Sequence, residues 1–77
     1  MALKLFKIDI DESNFHAFSY AATPAKALKD AAKIEFERRG RRCLILDKRE
    51  FISATALVNY LKKKGTLSLI CREDSRT

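Results

Sequence analysis

The chain has 77 residues, 16 Lys and Arg against 10 Asp and Glu, a formal net charge of +6, and an apolar fraction of 47%. This length predicts one domain over residues 1–77 with a frayed polar end at 73–77, and the apolar fraction argues against a disordered chain. No apolar run approaches the roughly 18 residues that cross a membrane, so no membrane-spanning segment is expected. The positive charge favours polyanionic partners, chiefly nucleic acid or an anionic membrane face, and of these two we expect nucleic acid and no membrane.

The two cysteines, Cys43 and Cys71, lie far from each other and from the single histidine, His16. This spacing matches no common metal site, and the acidic residues at 9–12 are typical of a soluble turn, so we expect no metal and no cofactor. Each cysteine lies in an apolar run, which favours buried free thiols and leaves a disulfide open only if their strands are neighbours. Because no secretory signal is recognisable, we expect a cytoplasmic location.

Strict alternation predicts a first strand from Ala2 to Ile10, and the polar residues 11–14 predict a turn into a second strand from Phe15 to Ala22. If Ile10 pairs with Phe15, one face of this hairpin carries large apolar residues opposite small ones at 17, 19 and 21, which suits a closely packed helix. The opposite face then carries the following side chains: Leu5, Lys7, Asp9, His16, Phe18 and Tyr20.

A helix is predicted from Pro24 to about Arg39. Thr23 can cap its start, Pro24 suits the first helical position, and Gly40 suits the left-handed position beyond its end. Apolar residues at helical spacing define the stripe that packs on the sheet. These residues are Ala27, Leu28, Ala31, Ala32, Ile34 and Phe36.

The second half of the chain continues with short elements. The apolar run from Cys43 to Leu46 predicts a strand buried on both faces, and Phe51-Ile52 predicts a short antiparallel return strand. An amphipathic helix follows over 54–64, between a capping serine at 53 and a glycine at 65. Residues 66–72 alternate, which predicts a final strand.

The predicted order is therefore β-β-α-β-(β)-α-β. It indicates an α+β two-layer sandwich, with a mixed or antiparallel sheet of four to five strands and two helices on one face.

Two basic clusters lie at the C-terminal ends of the two predicted helices. The first consists of Arg38, Arg39, Arg41 and Arg42, and the second of Lys62, Lys63 and Lys64. Arginine suits bidentate phosphate contacts, so the first cluster is a candidate nucleic-acid site assisted by the second. Basic residues at helix ends also complement the helix dipole without any ligand, and that alternative stays open. If both helices run in the same direction, the two clusters share one edge of the domain.

The uncovered sheet face is a second candidate site, with Phe18, Tyr20, Lys7 and His16 as partner-binding residues. Ile45 and Ile70 are expected to join it. Bases could stack on the two aromatic rings, or a partner protein or a second copy could cover them. A register shifted by one residue would instead place these aromatic residues in the core.

Enzymatic function is not expected. Asp9 opposite His16 is half of a familiar catalytic constellation, but without a pocket it fits a solvated cross-strand pair better, so no catalytic residue is assigned. The leading hypothesis is a basic, non-enzymatic module that contacts nucleic-acid phosphates. The alternative is a protein-interaction module, either a homodimer through the open sheet face or a small inhibitor or accessory factor of a larger protein or nucleoprotein complex.

Overall fold

The computed structural model of the protein describes residues 2–38 and 44–73. The elements are β1 (Lys4–Ile10), β2 (Phe15–Ala21), α1 (Pro24–Arg38), β3 (Leu44–Leu46), β4 (Arg49–Phe51), α2 (Ala54–Lys64), α3 (Leu67–Ile70) and β5 (Cys71–Glu73). The strands form a three-stranded sheet of order β2-β1-β5 and a two-stranded sheet of β3 and β4, both antiparallel. The α+β class is confirmed. The expected single sheet of four to five strands is not, because the described strands divide between two sheets.

The first hairpin has the predicted register. Ile10 lies opposite Phe15 and Leu5 opposite Tyr20. Residues 11–13 form one 3-10 turn, and Asn14 follows in the left-handed conformation with φ 52°. Since side chains alternate along a strand, this register buries one face of the hairpin and exposes the other. The alternative in which the register is shifted by one residue is therefore wrong.

Helix α1 lies at the centre of the core. It contacts α2, α3 and all three strands of the larger sheet. The Lys26 N–H donates to Thr23 Oγ1 at 3.3 Å, which confirms the predicted cap. Four residues of the predicted stripe are buried, and they are Ala27, Leu28, Ala31 and Ala32.

Ile34 departs from the predicted stripe, since its side chain is 56% exposed. It lines a surface cavity together with residues of β2. Because β2 is the edge strand of the three-stranded sheet, this flank of α1 extends past the sheet and Ile34 stays in contact with water.

Strands β3 and β4 form a tight hairpin. Leu46 pairs with Arg49, and the two loop residues Asp47 and Lys48 have φ values of 54° and 62°. This is the conformation of the two-residue turns that match strand twist. The predicted return strand is confirmed, but it spans Arg49–Phe51 instead of Phe51-Ile52 and so lies one to two residues earlier in the chain. Burial of β3 on both faces is wrong, because Ile45 is exposed.

The small sheet is attached to the turn of the first hairpin by side chain to backbone hydrogen bonds. The N–H groups of Asp47 and Lys48 donate to the Glu12 carboxylate at 2.9 and 3.2 Å. Ser13 Oγ donates to the Ile45 carbonyl at 2.8 Å and accepts from the Ile45 N–H. These bonds hold β3 at the end of the larger sheet without extending its ladder, so Ile45 does not join the open face.

Helix α2 begins and ends as predicted. Ser53 Oγ accepts from the Ala56 N–H at 3.4 Å. Gly65 is left-handed with φ 79°, and its N–H donates to the carbonyls of Leu61 and Lys62. A glycine is required here because a side chain would strain this conformation.

The predicted final strand over residues 66–72 is largely wrong. Leu67–Ile70 form one helical turn, and only Cys71–Glu73 form a strand, with Cys71 opposite Ile8. Leu67 and Ile70 are three residues apart and both pack against the core, while Leu69 is exposed. That spacing fits a helical turn, and it removes Ile70 from the open face. Glu73, expected in the frayed end, pairs with Phe6.

The thiol of Cys71 is free and buried, and burial raises its pKa to about 12. Cys43 lies outside the described residues. None of the helices within 2–38 and 44–73 is both long enough and apolar enough to cross a membrane.

Candidate nucleic-acid interface

The open face of the three-stranded sheet presents aromatic and cationic side chains side by side. Lys7 on the central strand lies between Phe18 on β2 and Arg72 on β5. Tyr20 follows Phe18 on the same face, and the two rings are 67% and 61% exposed, respectively. The opposite face of this sheet is buried against α1. The open face is therefore an accessible surface with two rings on the edge strand β2, Lys7 on the central strand and Arg72 on the other edge strand.

The hairpin end of this face carries an acid–base cluster. His16 Nδ1 lies 2.8 Å from Asp9 Oδ1, and its Nε2 lies 3.9 Å from Asp11 Oδ1. The hydrogen bond with His16 lowers the pKa of the Asp9 carboxyl below its usual value. The pair is solvent-exposed and orients the imidazole beside Phe18. In the described part of the chain, no group of three or more His, Cys, Asp or Glu could hold a metal ion.

An open depression of about 490 Å³ lies between this cluster and the centre of the face. Lys7 and Arg72 line one part of it, and the two carboxylates with His16 line the other. The cationic part is where an anion can bind, since the acidic part repels it.

Arg38 lies beside the aromatic edge of the open face. It lines a cavity of about 370 Å³ together with His16, Phe18 and Ile34. Helix α1 runs back along β2, so the end of α1 comes next to the beginning of that strand. The remaining residues of the predicted arginine cluster lie outside the described residues, and they are Arg39, Arg41 and Arg42, with Gly40 between them.

The lysine cluster is not on the same edge as Arg38. The cleft at the start of α1 is lined by Lys26 and by Lys62 of α2, whereas residues near the end of α1 lie beside the start of α2. The two helices therefore run in opposite directions, and the condition for a shared basic edge is not met. Arg38 is the last residue of α1, whereas Lys62 of α2 lies beside the first turn of α1.

Lys64 has a structural partner. Its ammonium donates a hydrogen bond to the Asp47 carboxylate, which also accepts one from Tyr60 Oη at 2.7 Å. These bonds raise the pKa of Lys64 and lower that of Asp47. The guanidinium of Arg49 lies 5.2 Å from the centre of the Tyr60 ring. Lys64 thus ties α2 to the β3–β4 turn.

Two sets of basic residues were missed by sequence reasoning. Arg72 follows the buried Cys71, so alternation alone would have placed it on the open face. Lys26, Lys29 and Lys33 are spaced i, i+3 and i+7 along α1, which places them on one side of that helix. That spacing is a signal that the sequence alone contains.

No protein-family model matches this chain, and no curated protein and no solved structure is significantly similar to it. The chemistry of its own surface is what remains to indicate its function. On that surface, the row formed by Phe18, Lys7 and Arg72 combines an exposed aromatic ring with two cationic side chains. Side chains of these two kinds can stack on bases and bind phosphates.

Proposed function

We propose that this protein is a small non-enzymatic module that binds single-stranded nucleic acid on the open face of its three-stranded sheet. Bases stack on Phe18 and Tyr20, and Lys7 and Arg72 contact the phosphates. The observation that carries this proposal is the row in which an exposed aromatic ring lies next to two cationic side chains on adjacent strands.

The physical case rests on complementary contributions from the two kinds of side chain. Stacking of a base on an aromatic side chain contributes about 1–3 kcal/mol and tolerates any base. Phe18 and Tyr20 are two residues apart on one strand, so their backbone positions are about 7 Å apart, which lets neighbouring nucleotides reach one ring each. Lys7 and Arg72 add phosphate contacts whose strength depends on salt.

Arg38 extends this surface past the edge of β2. It adjoins Phe18 in the same cavity, and we assign it a phosphate contact together with Arg39, Arg41 and Arg42. A contribution of Lys62, Lys63 and Lys64 stays a prediction. Lys64 already binds Asp47, and Lys62 lines the cleft between α1 and α2, away from the open face.

A titration across salt concentrations tests the proposal. Fluorescence anisotropy of a labelled single-stranded oligonucleotide should show an affinity that falls steeply between about 50 and 200 mM salt. The double variant Lys7→Gln/Arg72→Gln should lower the slope of log affinity against log salt by about 1.4, because single strands lose about 0.7 per phosphate contact.

The matched control is Lys33→Gln/Lys48→Gln, which removes the same charge at two exposed positions to which no phosphate contact is assigned. Its salt slope should stay close to that of the unmodified protein. An affinity independent of salt, or an equal loss of slope in both double variants, would contradict the assignment of these phosphate contacts.

A second candidate function is pairing with another protein through β2. This strand has seven residues and lies at the edge of the sheet. It contains no Lys, Arg, Asp, Glu, Pro or Gly, which are the residues that commonly protect an edge strand from pairing. A second copy could pair its own β2 antiparallel to this one, which would make a homodimer. A strand of a larger protein or nucleoprotein complex in the same place would make the chain an inhibitor or accessory factor.

Sedimentation of the free protein over a wide range of concentrations tests self-association. If β2 pairs with its own copy, the sedimentation coefficient should rise with concentration, and Phe18→Lys should abolish the rise because it places like charges across the new interface. A monomer at every concentration rules out the homodimer. In either case we place the protein in the cytoplasm, and the free, buried thiol of Cys71 supports that location.

A further inference from the structure

A second basic surface lies between α1 and α2, in the helix layer. The two helices form the walls of a cleft of about 280 Å³. Its polar lining residues are Thr23, Lys26, Lys29, Thr55, Asn59 and Lys62. Lysines from both helices thus line one small cleft.

The charges in this cleft are only partly compensated. Lys26 Nζ lies 3.2 Å from the carboxylate of Asp30. Within residues 2–38 and 44–73, neither Lys29 nor Lys62 forms an ion pair. Three ammonium groups with one carboxylate leave an excess of two positive charges. Like charges in one cleft repel each other, and a bound dianion would compensate the two excess charges and remove this repulsion.

The neutral polar groups of the cleft are suited to donate hydrogen bonds. Thr23 Oγ1 accepts from the N–H of Lys26, so its own hydroxyl proton is available to another acceptor. Thr55 and Asn59 are four residues apart on α2 and therefore lie on the same side of that helix. Hydroxyl and amide donors beside ammonium groups match the oxygens of a phosphate.

We propose that the cleft between α1 and α2 binds the diphosphate group of a small phosphorylated molecule. A carboxylate would compensate only one of the two excess charges, and a phosphate monoester nearly both. A diphosphate compensates both and has two phosphoryl groups, so it can contact the lysines of both helices at once. A volume of about 280 Å³ is at the small end of ligand pockets, so the phosphates enter the cleft and the rest of the ligand extends outside it. The open face is on the side of the sheet that faces away from α1, so this site is separate from the proposed nucleic-acid interface.

The test is a titration of the ¹⁵N-labelled full chain with inorganic pyrophosphate and with inorganic phosphate, followed by NMR at constant ionic strength. Pyrophosphate should give saturable shifts at residues 23–29 and 55–62 and should bind more tightly than phosphate. Lys29→Gln/Lys62→Gln should weaken pyrophosphate binding at least about tenfold, because it removes both unpaired charges. The control Lys33→Gln/Lys48→Gln removes the same charge outside the cleft and should leave the affinity nearly unchanged.

Two results would overturn the proposal. One is an equal weakening in both double variants, or shifts that spread over the whole basic surface without saturation, since either would indicate general charge attraction. The other is displacement of pyrophosphate by a single-stranded oligonucleotide together with loss of oligonucleotide binding in Lys29→Gln/Lys62→Gln, since the cleft would then hold a phosphodiester backbone. Saturable pyrophosphate binding without oligonucleotide binding would support the cleft and contradict only the nucleic-acid proposal.

Discussion

Replacing Leu28 by alanine is expected to destabilise the protein by about 2–5 kcal/mol. Leu28 is fully buried in α1, the helix that contacts α2 and every strand of the three-stranded sheet. A domain of 77 residues has a total stability of about 4–12 kcal/mol, so this one change removes a large part of it. Urea unfolding followed by far-ultraviolet circular dichroism measures the loss directly, and the midpoint should fall without a change of slope.

The matched control lies on the same helix. Ile34 is 56% exposed, so Ile34→Ala should change the free energy of unfolding by no more than about 0.5 kcal/mol. Both residues belong to the apolar stripe that the sequence predicts, but Leu28 points into the core whereas Ile34 lies on the flank of α1 beside the edge strand β2. A similar cost for the two variants would contradict the way α1 is placed on the sheet.

The first hairpin and both helix starts could be predicted because local rules determine them. The polar turn at 11–14 favours the pairing of Ile10 with Phe15. This pairing puts the large apolar residues at 6, 8, 10 and 15 on one face and leaves Phe18 and Tyr20 on the other. The hydroxyls of Thr23 and Ser53 accept backbone bonds three residues on, as capping residues do. These contacts span only a few residues, so the sequence pattern contains them.

The second half of the fold could not be predicted in the same way. The small sheet is positioned by hydrogen bonds between the side chains of Glu12 and Ser13 and backbone groups more than thirty residues later. No local sequence pattern predicts these bonds. Leu67 to Ile70 fit both an alternating strand and one helical turn, and the packing of Leu67 and Ile70 on the core decides between the two. Short segments of this kind take the conformation that their tertiary contacts favour.

The candidate sites show the same difference between what local sequence patterns predict and what depends on tertiary contacts. The aromatic part of the open face follows from the register of one hairpin, and it was predicted. Arg72 joins the face through the pairing of β5 with β1, after a helical turn that alternation did not predict. The cleft that contains Lys29 and Lys62 needs the packing of two helices, so neither helix alone predicts it.

The double variant Phe18→Ala/Tyr20→Ala is expected to weaken single-stranded oligonucleotide binding by at least about 30-fold. Each lost stack removes about 1–3 kcal/mol, and every 1.4 kcal/mol is a factor of ten in affinity. Both side chains are mostly exposed, so the variant should fold, and circular dichroism checks that it does. Anisotropy at one fixed salt concentration measures the loss.

Two controls separate stacking from other causes. Phe18→Tyr/Tyr20→Phe keeps both rings and should bind almost as well as the unmodified protein, since a base stacks on either ring. Ile52→Ala removes an exposed apolar side chain far from the open face and should have no effect.

The salt slope of the alanine double variant should stay unchanged, because its phosphate contacts remain. Unchanged affinity in that variant would show that the aromatic rings do not contact the bases. A lower slope would show that the loss of affinity comes from lost phosphate contacts. If the same variant loses self-association while it keeps its affinity for the oligonucleotide, the rings serve the pairing of β2 with a second copy.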